Sequence, residues 1–485
     1  MSGAGPVRSD RWVFVALALL LVWLPVPWGS RSMLAMALFG AIVAALVAAR
    51  LTLAASGRLA LPGLPPAARL GLTLWLAWAG WVGLQLVPLP AAVVGVLSPR
   101  SAEIHAALGG LDGGAAWHAV SLMPGATFQH WLLSLALLGT FWLVLAVTAH
   151  HRRRQRWLLL ALLLSGLGQA LYAIVMTLSG WEIGFLEPKQ HGLGYTTGTF
   201  VNKNHFGAYL GLTLAAGVAL VLADLRPKPW DSWRAALDGL TELALSPRMR
   251  VRVALAVIVI ALVLTRSRMG NGAFFVALAM CGSVYVLLRH RRYFLPSLVL
   301  FASIFLVDLW IISDRYGLQQ LAQRIGETSL ETEGRADVLP EIAPLWRPYA
   351  LTGSGLGSFA QAYSPERSDR IKSYYDHAHN DHLEFLIETG VVGYALLAAL
   401  SLLVLAHGLR LVRQRHDPMA CALGFAGAMA VVTAALNGLT DFSLRIPAVS
   451  ATLVCLAALT LSCSAEPTNG GRPGAPDAPE PPVTG

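Results

Sequence analysis

Charge is what this chain has least of. Asp, Glu, Lys and Arg make up 13% of its 485 residues, against 55% hydrophobic, and the mean hydropathy is +0.59. Soluble domains carry about a quarter charged residues, so this composition excludes an ordinary water-soluble fold. Cysteine is equally scarce: Cys281, Cys421, Cys455 and Cys463 all fall inside or at the edge of apolar runs. With none in a polar segment, neither a disulfide framework nor a CxxC metal site is indicated. The net charge of +9 follows from 36 Lys and Arg against 27 Asp and Glu. Because the basic residues gather at alternate ends of the apolar runs, membrane topology accounts for them and no nucleic-acid partner is needed.

What the chain has in quantity is apolar runs of roughly 18 to 22 residues, the length an α-helix needs to cross a hydrocarbon core. About twelve are visible, near 12–28, 33–53, 70–88, 131–148, 157–178, 206–222, 251–265, 271–288, 294–312, 382–406, 420–439 and 447–461. The fold class expected is therefore an all-α polytopic membrane protein. Arg8 and Arg11, Arg50 and Arg58, the 150–156 cluster, Arg226 with Lys228 and Arg234, Arg289 to Arg292, and Arg410 to Arg415 mark the cytoplasmic ends. Both termini then lie inside. The first run holds Pro25 and Pro27 with no small-residue cleavage site after it, so a signal anchor is expected rather than a removable leader. The Pro- and Gly-rich stretch 465–485 is expected to be disordered.

Four outside segments are substantial: 89–130, 179–205, the short break at Arg266, and the longest, 313–381. A structureless loop of about seventy residues would be unusual, so the last should carry helices and pack as a small cap. Within it, 339–346 and 358–362 look helical, separated by Thr352-Gly353-Ser354-Gly355-Leu356-Gly357. Those glycines permit a tight turn or close backbone approach; a phosphate cradle built on Gly355 and Gly357 is the alternative.

Two arginines stand where lipid begins. The run 251–265 rises only roughly 22 Å as a helix, short of a full crossing, which would place Arg266-Ser267-Arg268 below the outer surface. An arginine at depth is costly unless paired or facing a polar cavity, which makes both functional candidates; snorkelling to the interface is the plainer explanation. If the stretch is helical, the two side chains differ by about 200° and only one faces the cavity. Arg335 opens a helix toward Trp346 and has Glu331 and Asp337 as surface partners within reach.

The string Asp376-His377-Ala378-His379-Asn380-Asp381-His382 matches, in letters, the HxHxDH zinc signature of a soluble hydrolase fold. That fold needs some two hundred residues and further ligands downstream, whereas this chain enters lipid after His382. Asn380 or Asp381 could instead cap the following helix.

His379-Asn380, then nine residues, then Gly390 and Gly393, at the close of a large outside loop, resembles the O-antigen ligase and O-antigen polymerase superfamily. The stretch 197–207, containing Asn204, resembles that family's entry to a middle helix, and Thr265-Arg266-Ser267-Arg268 its serine–arginine element. Gly334-Arg335 and 351–359 resemble the start and middle of its large loop, and Thr440-Asp441-Phe442 its closing outside turn. The similarity covers 192–447; it departs from the pattern where Met269 separates the serine–arginine pair from Gly270. The resemblance implies a GT-C-like fold with N-terminal helices over 1–190, a catalytic membrane domain over 191–463 that includes loop 313–381, and a tail over 464–485. It implies transfer of a glycan from a polyprenyl diphosphate donor to a sugar hydroxyl at the periplasmic face of a bacterial inner membrane, without nucleotide sugar, metal or other cofactor. Arg268 and Arg335 would clamp the diphosphate as forked donors, and His379 would serve the acceptor hydroxyl as base. Arg266, Asn380, Asn204, Gly355 and Gly357 would bind substrate, with Asn380 helping to set the histidine tautomer. A ligase would use lipid A–core as acceptor and a polymerase a growing glycan; the ligase is slightly favoured. A transporter or flippase would show polar residues along several spans, whereas here they gather at the outside ends.

Overall fold

The computed structural model describes residues 10–112, 116–190, 192–224, 247–289, 291, 338–371, 374–414 and 417–464. Helices stand at eleven of the twelve expected runs: α1 (Arg11–Trp23), α2 (Met33–Ala55), α3 (Pro66–Leu84), α4 (Pro124–Thr148), α5 (Arg152–Leu178), α6 (Lys203–Ala223), α7 (Pro247–Leu264), α8 (Arg268–Arg289), α9 (Asp381–Gln414), α10 (Pro418–Gly438) and α11 (Pro447–Leu461). The twelfth run, 294–312, and the tail 465–485 lie outside the described residues. Among the described residues, seven helices (α2, α4, α5, α6, α8, α9 and α10) are long and apolar enough to cross a membrane by length and composition.

The helix ends follow local chemistry. Ser32, Asn202 and Asp417 accept backbone N–H groups as N-caps of α2, α6 and α10. Pro66, Pro124, Pro418 and Pro447 stand in first turns, where a missing N–H costs nothing. Several boundaries differ from expectation; α4, for one, begins at Pro124, seven residues before the expected start. α1 stops at Trp23 rather than 28, because Pro25 and Pro27 cannot continue a helix and a 3-10 turn (Trp28–Ser30) follows instead. α7 begins at Pro247 and is 18 residues long, so it rises roughly 27 Å. The shortness that would have sunk Arg266 and Arg268 into the membrane is therefore largely removed. α9 extends to Gln414 and is broken at Gly390.

The helices α6, α10 and α11 form the middle of the bundle and are buried on nearly every side. One apolar core runs without interruption from Val13 to Cys463. Where α9 crosses α10, a Cβ on Gly408 would sit 2.5 Å from the Gly424 carbonyl oxygen, so the two backbones touch. Such small-residue contacts drive helix association where lipid supplies no hydrophobic force.

The two ends of the bundle differ in chemistry. At one end Arg154 and Arg50 meet the buried Asp10 at 2.6 and 3.5 Å, Arg156 holds Asp224 through two hydrogen bonds, and Arg152 pairs with Asp417. These pairs tie α5 to the starts or ends of α1, α2, α6 and α10. The starts of α6, α8, α9 and α11 and the ends of α7 and α10 meet at the opposite end, and there the histidines gather.

Candidate active site

A small cap covers that end. Val338, Ile342, Leu345, Tyr349, Phe359 and Tyr363 form a separate apolar core above the bundle. Positions 338–342 and the helix Phe359–Tyr363 supply the two helical pieces expected there. Between them the glycine turn is packed rather than open. Gly353, Gly355 and Gly357 all have positive φ, and a Cβ on Gly355 would lie 2.3 Å from Ser121 Oγ, one on Gly357 2.6 Å from the His130 ring. The Gly355 N–H donates to the Glu388 carbonyl at 2.9 Å. Gly355 and Gly357 thus serve close backbone approach, and the phosphate-cradle alternative loses its donor. Buried Gln85 clamps the turn by donating to the Thr352 and Glu388 carbonyls and accepting from Leu356 N–H.

The same turn explains the first glycine of the motif. Gly390 takes φ 65° and ψ −177°, a region essentially closed to other residues, and a Cβ there would meet the Leu351 carbonyl oxygen at 2.3 Å. The break in α9 lets the cap lie against its first two turns. Those turns carry Asp381, Glu384 and Glu388, all buried.

Asp441 is the centre of the polar cluster. It sits in the turn between α10 and α11, and both His205 Nε2 and His379 Nδ1 lie 3.5 Å from its Oδ1. Its Oδ2 accepts from Asn204 Nδ2 at 2.7 Å, and its Oδ1 accepts from the Phe442 N–H. Burial alone would raise this carboxyl, but the two imidazoles beside it, with the Phe442 N–H, overcome it and hold Asp441 far below the usual carboxylate range. Phe442 fills the space between three imidazoles, with His377 stacked flat at 3.9 Å and His205 and His379 edge-on at 4.7 and 5.1 Å. His379 keeps about a fifth of its side chain exposed and adopts φ 48°, a left-handed conformation unusual for histidine.

A second layer lies below. Arg445, buried in the turn Ser443–Arg445, pairs with Glu384 at 3.1 Å and with Glu388, and rests on the Phe385 ring. Glu384 also bonds His377 Nδ1 at 2.8 Å and the Ala378 N–H at 2.9 Å. Glu388 accepts the Phe359 N–H from the cap.

The residues expected in the site are partly brought together. Asn204 joins two of its parts: it donates to Asp441 and accepts from Ser267 Oγ at 2.8 Å. Ser267 stands between Arg266 and Arg268, so the serine–arginine element is linked to the histidine centre through one asparagine. Arg266, at φ 51°, lies in the break between α7 and α8, while Arg268 opens α8; both are exposed. The helical premise that set their side chains about 200° apart therefore does not hold. Asn380 does not touch the His379 ring. Its Oδ1 accepts the Leu383 N–H as a helix cap and its Nδ2 donates to the Leu439 carbonyl, while the carboxylate that faces His379 Nδ1 is that of Asp441. Arg335 lies outside the described residues. The zinc-like string separates: His377 turns to Glu384, His379 to Asp441, and His382 to Tyr394 and the Ala435 carbonyl.

A many-helix membrane bundle with a histidine–carboxylate centre at one end defines the class. Residues 253–398 match the family model described as O-antigen ligase. Over that segment the chain is similar to the O-antigen ligase family, whose members are glycosyltransferase-like enzymes acting on lipid-linked glycans and glycan acceptors. No curated protein matches the chain. The matched segment contains Arg266, Arg268, His379, Glu384 and Glu388, whereas Asn204, His205, Asp441 and Arg445 lie outside it.

Asp441 makes a testable statement about pH. Its folded value is depressed, so its contribution to stability is complete above the unfolded value of about 4 and is lost as pH falls through the folded one. Wild type should exceed Asp441→Asn in thermal stability by a constant margin above about pH 5, and the margin should shrink below about pH 4. A margin independent of pH down to 3 would show that the carboxylate charge is not what the histidines hold.

Proposed function

We propose that this protein moves a glycan from a polyprenyl diphosphate to an acceptor sugar hydroxyl, at the membrane face that carries His379. The carrying observation is the His379–Asp441 pair joined through Asn204 and Ser267 to the Arg266–Arg268 element. His379 Nδ1 faces the carboxylate, which leaves Nε2 for the acceptor hydroxyl. In the reaction the bond between the anomeric carbon and the phosphate oxygen breaks and a bond from the acceptor oxygen forms. The hydroxyl proton passes to His379 Nε2, and polyprenyl diphosphate leaves with the electron pair. Asp441 orients the ring and offsets the positive charge it acquires. Arg268, with Arg335, holds the growing negative charge on the diphosphate, a task that forked guanidinium donors perform in place of a metal ion. The helices of 1–190 are the scaffold and 191–463 the catalytic part. The arginine-rich end is cytoplasmic and the His379 end periplasmic, following the positive-inside rule in a bacterial inner membrane.

Arg268→Lys keeps the charge and loses the planar fork, so activity should fall at least tenfold, roughly the worth of one charge-assisted hydrogen bond, with normal membrane insertion. Arg266→Lys should be milder, since Arg266 already lies over the Tyr195 ring at 5.7 Å. The reverse order in a transfer assay would move the clamp to Arg266. The acceptor is tested by deleting the gene in its host and analysing surface glycan, with His379→Ala as the complementing control. Intact polymer that is no longer attached to lipid A–core supports the ligase we favour, and single repeat units support a polymerase.

A further inference from the structure

The segment between α5 and α6 is used by none of the chemistry above, yet it is one of the most tightly built on the molecule. Lys189 Nζ, nearly buried, pairs with Glu182 at 2.7 Å and donates to the Tyr195 carbonyl at 3.0 Å. Glu182 also accepts the Gly194 N–H at 2.8 Å, and Tyr172 Oη donates to the Gly184 carbonyl at 2.6 Å. Glu182 and Leu186 both adopt positive φ, at 49° and 63°. Strained backbone of this kind persists only where surrounding contacts over-determine it.

Despite that internal order, three large apolar side chains of the segment are bare, beside the exposed Glu187 and Gln190. Trp181, Leu186 and Leu193 are 67%, 84% and 59% exposed. The inner end is the opposite. Thr196 is fastened to the end of α7 by bonds to the Ala261 and Leu264 carbonyls, and beside it the Tyr195 ring carries Lys203 Nζ at 3.8 Å and the Arg266 guanidinium at 5.7 Å. Lys203 is the neighbour of Asn204, which reaches Asp441. One rigid element therefore presents cations at the site and an apolar surface leading away from it. Exposed Trp and Leu beside clustered cations suit the interface between lipid chains and headgroups.

We infer that this element is the lipid-side subsite for the donor: Lys203 and Arg266, set against Tyr195, take the phosphate nearest the lipid, and Trp181, Leu186 and Leu193 lie along the polyprenyl chain. The inference rests on the donor class proposed above and adds the residues that read its lipid half. Glu182 and Lys189 act as positioning residues, because they hold the apolar tip and the tyrosine in one body.

Binding tests this independently of transfer. Full-length protein in nanodiscs is titrated with polyprenyl diphosphate lacking any sugar and with inorganic diphosphate, which has no chain. Trp181→Ser/Leu186→Ser should weaken the long-chain ligand about tenfold, equivalent to about 1.4 kcal/mol, and leave inorganic diphosphate unchanged; Lys203→Gln should weaken both. Equal affinity of wild type and the double variant for the long chain would overturn the inference, as would an equal loss for both ligands. Competition by phosphatidylglycerol as potent as the unlabelled ligand would also overturn it, by assigning the surface to bulk anionic lipid. If binding behaves as expected but no glycosidic bond is formed by the wild type, the transfer reading fails and this one stands.

Discussion

His379→Ala is expected to lower the rate of glycan transfer by about 10² to 10⁴, the usual worth of a positioned general base. The protein should remain folded, since the ring is partly exposed and its contacts are Asp441 at 3.5 Å and the edges of Phe442 and Tyr375. Neighbouring histidines sharpen the comparison. His382 is engaged by Tyr394 and the Ala435 carbonyl, and His377 by Glu384, which keeps Arg445 and the Ala378 N–H without it. Alanine at His377 or His382 should therefore cost much less activity than at His379. A zinc centre built on this string would be crippled equally at all three, and chelator would abolish activity. Rates that fall together at all three, with inhibition by EDTA, would contradict the mechanism.

Arg445→Met should have the largest effect on stability. Glu384 and Glu388 are each about 1% exposed and Arg445 is their common cation. Removing one partner of a buried ion pair leaves uncompensated charge and costs about 3–5 kcal/mol. Because Glu388 also holds the cap at Phe359 and Glu384 holds the His377–Ala378 segment, the loss should loosen the cap first. Limited proteolysis should cut between 338 and 380 in Arg445→Met before the bundle unfolds. Unchanged cleavage and melting would show the network to be dispensable. Combining Arg445→Met with Glu384→Gln and Glu388→Gln should recover part of the stability, since no charge is then left unpaired and the amide oxygens can still accept the cap N–H groups.

The membrane class, the places of the helices and the candidacy of His379 were legible because each depends on residues close together in the chain. Apolar run length reports a span directly, and His379, Asn380, Gly390 and Gly393 lie within fifteen positions of one another. What sequence could not supply were partners far along the chain. Asp441 meets Asn204 across 237 positions, and although 440–442 resembles the family's closing outside turn, nothing in the sequence pairs Asp441 with Asn204 or the histidines. Arg445 was hidden for the same reason. Gln85 stands one residue past α3, and nothing in the sequence shows that it joins α3 to the glycine turn and to α9. The phase argument for Arg266 and Arg268 failed on backbone conformation, since a positive φ at a non-glycine residue has no sequence signature.

The central claim is bond transfer from a lipid-linked donor, and reconstitution tests it most directly. Purified protein in proteoliposomes, supplied with a polyprenyl-diphosphate-linked oligosaccharide and separately with lipid A–core and repeat-unit acceptors, should form a new glycosidic bond. One polyprenyl diphosphate should be released per bond, in the presence of EDTA, and release should fall by about 10² or more in His379→Ala. Movement of the intact donor across the bilayer with no bond broken, or release that is indifferent to His379, would contradict the account.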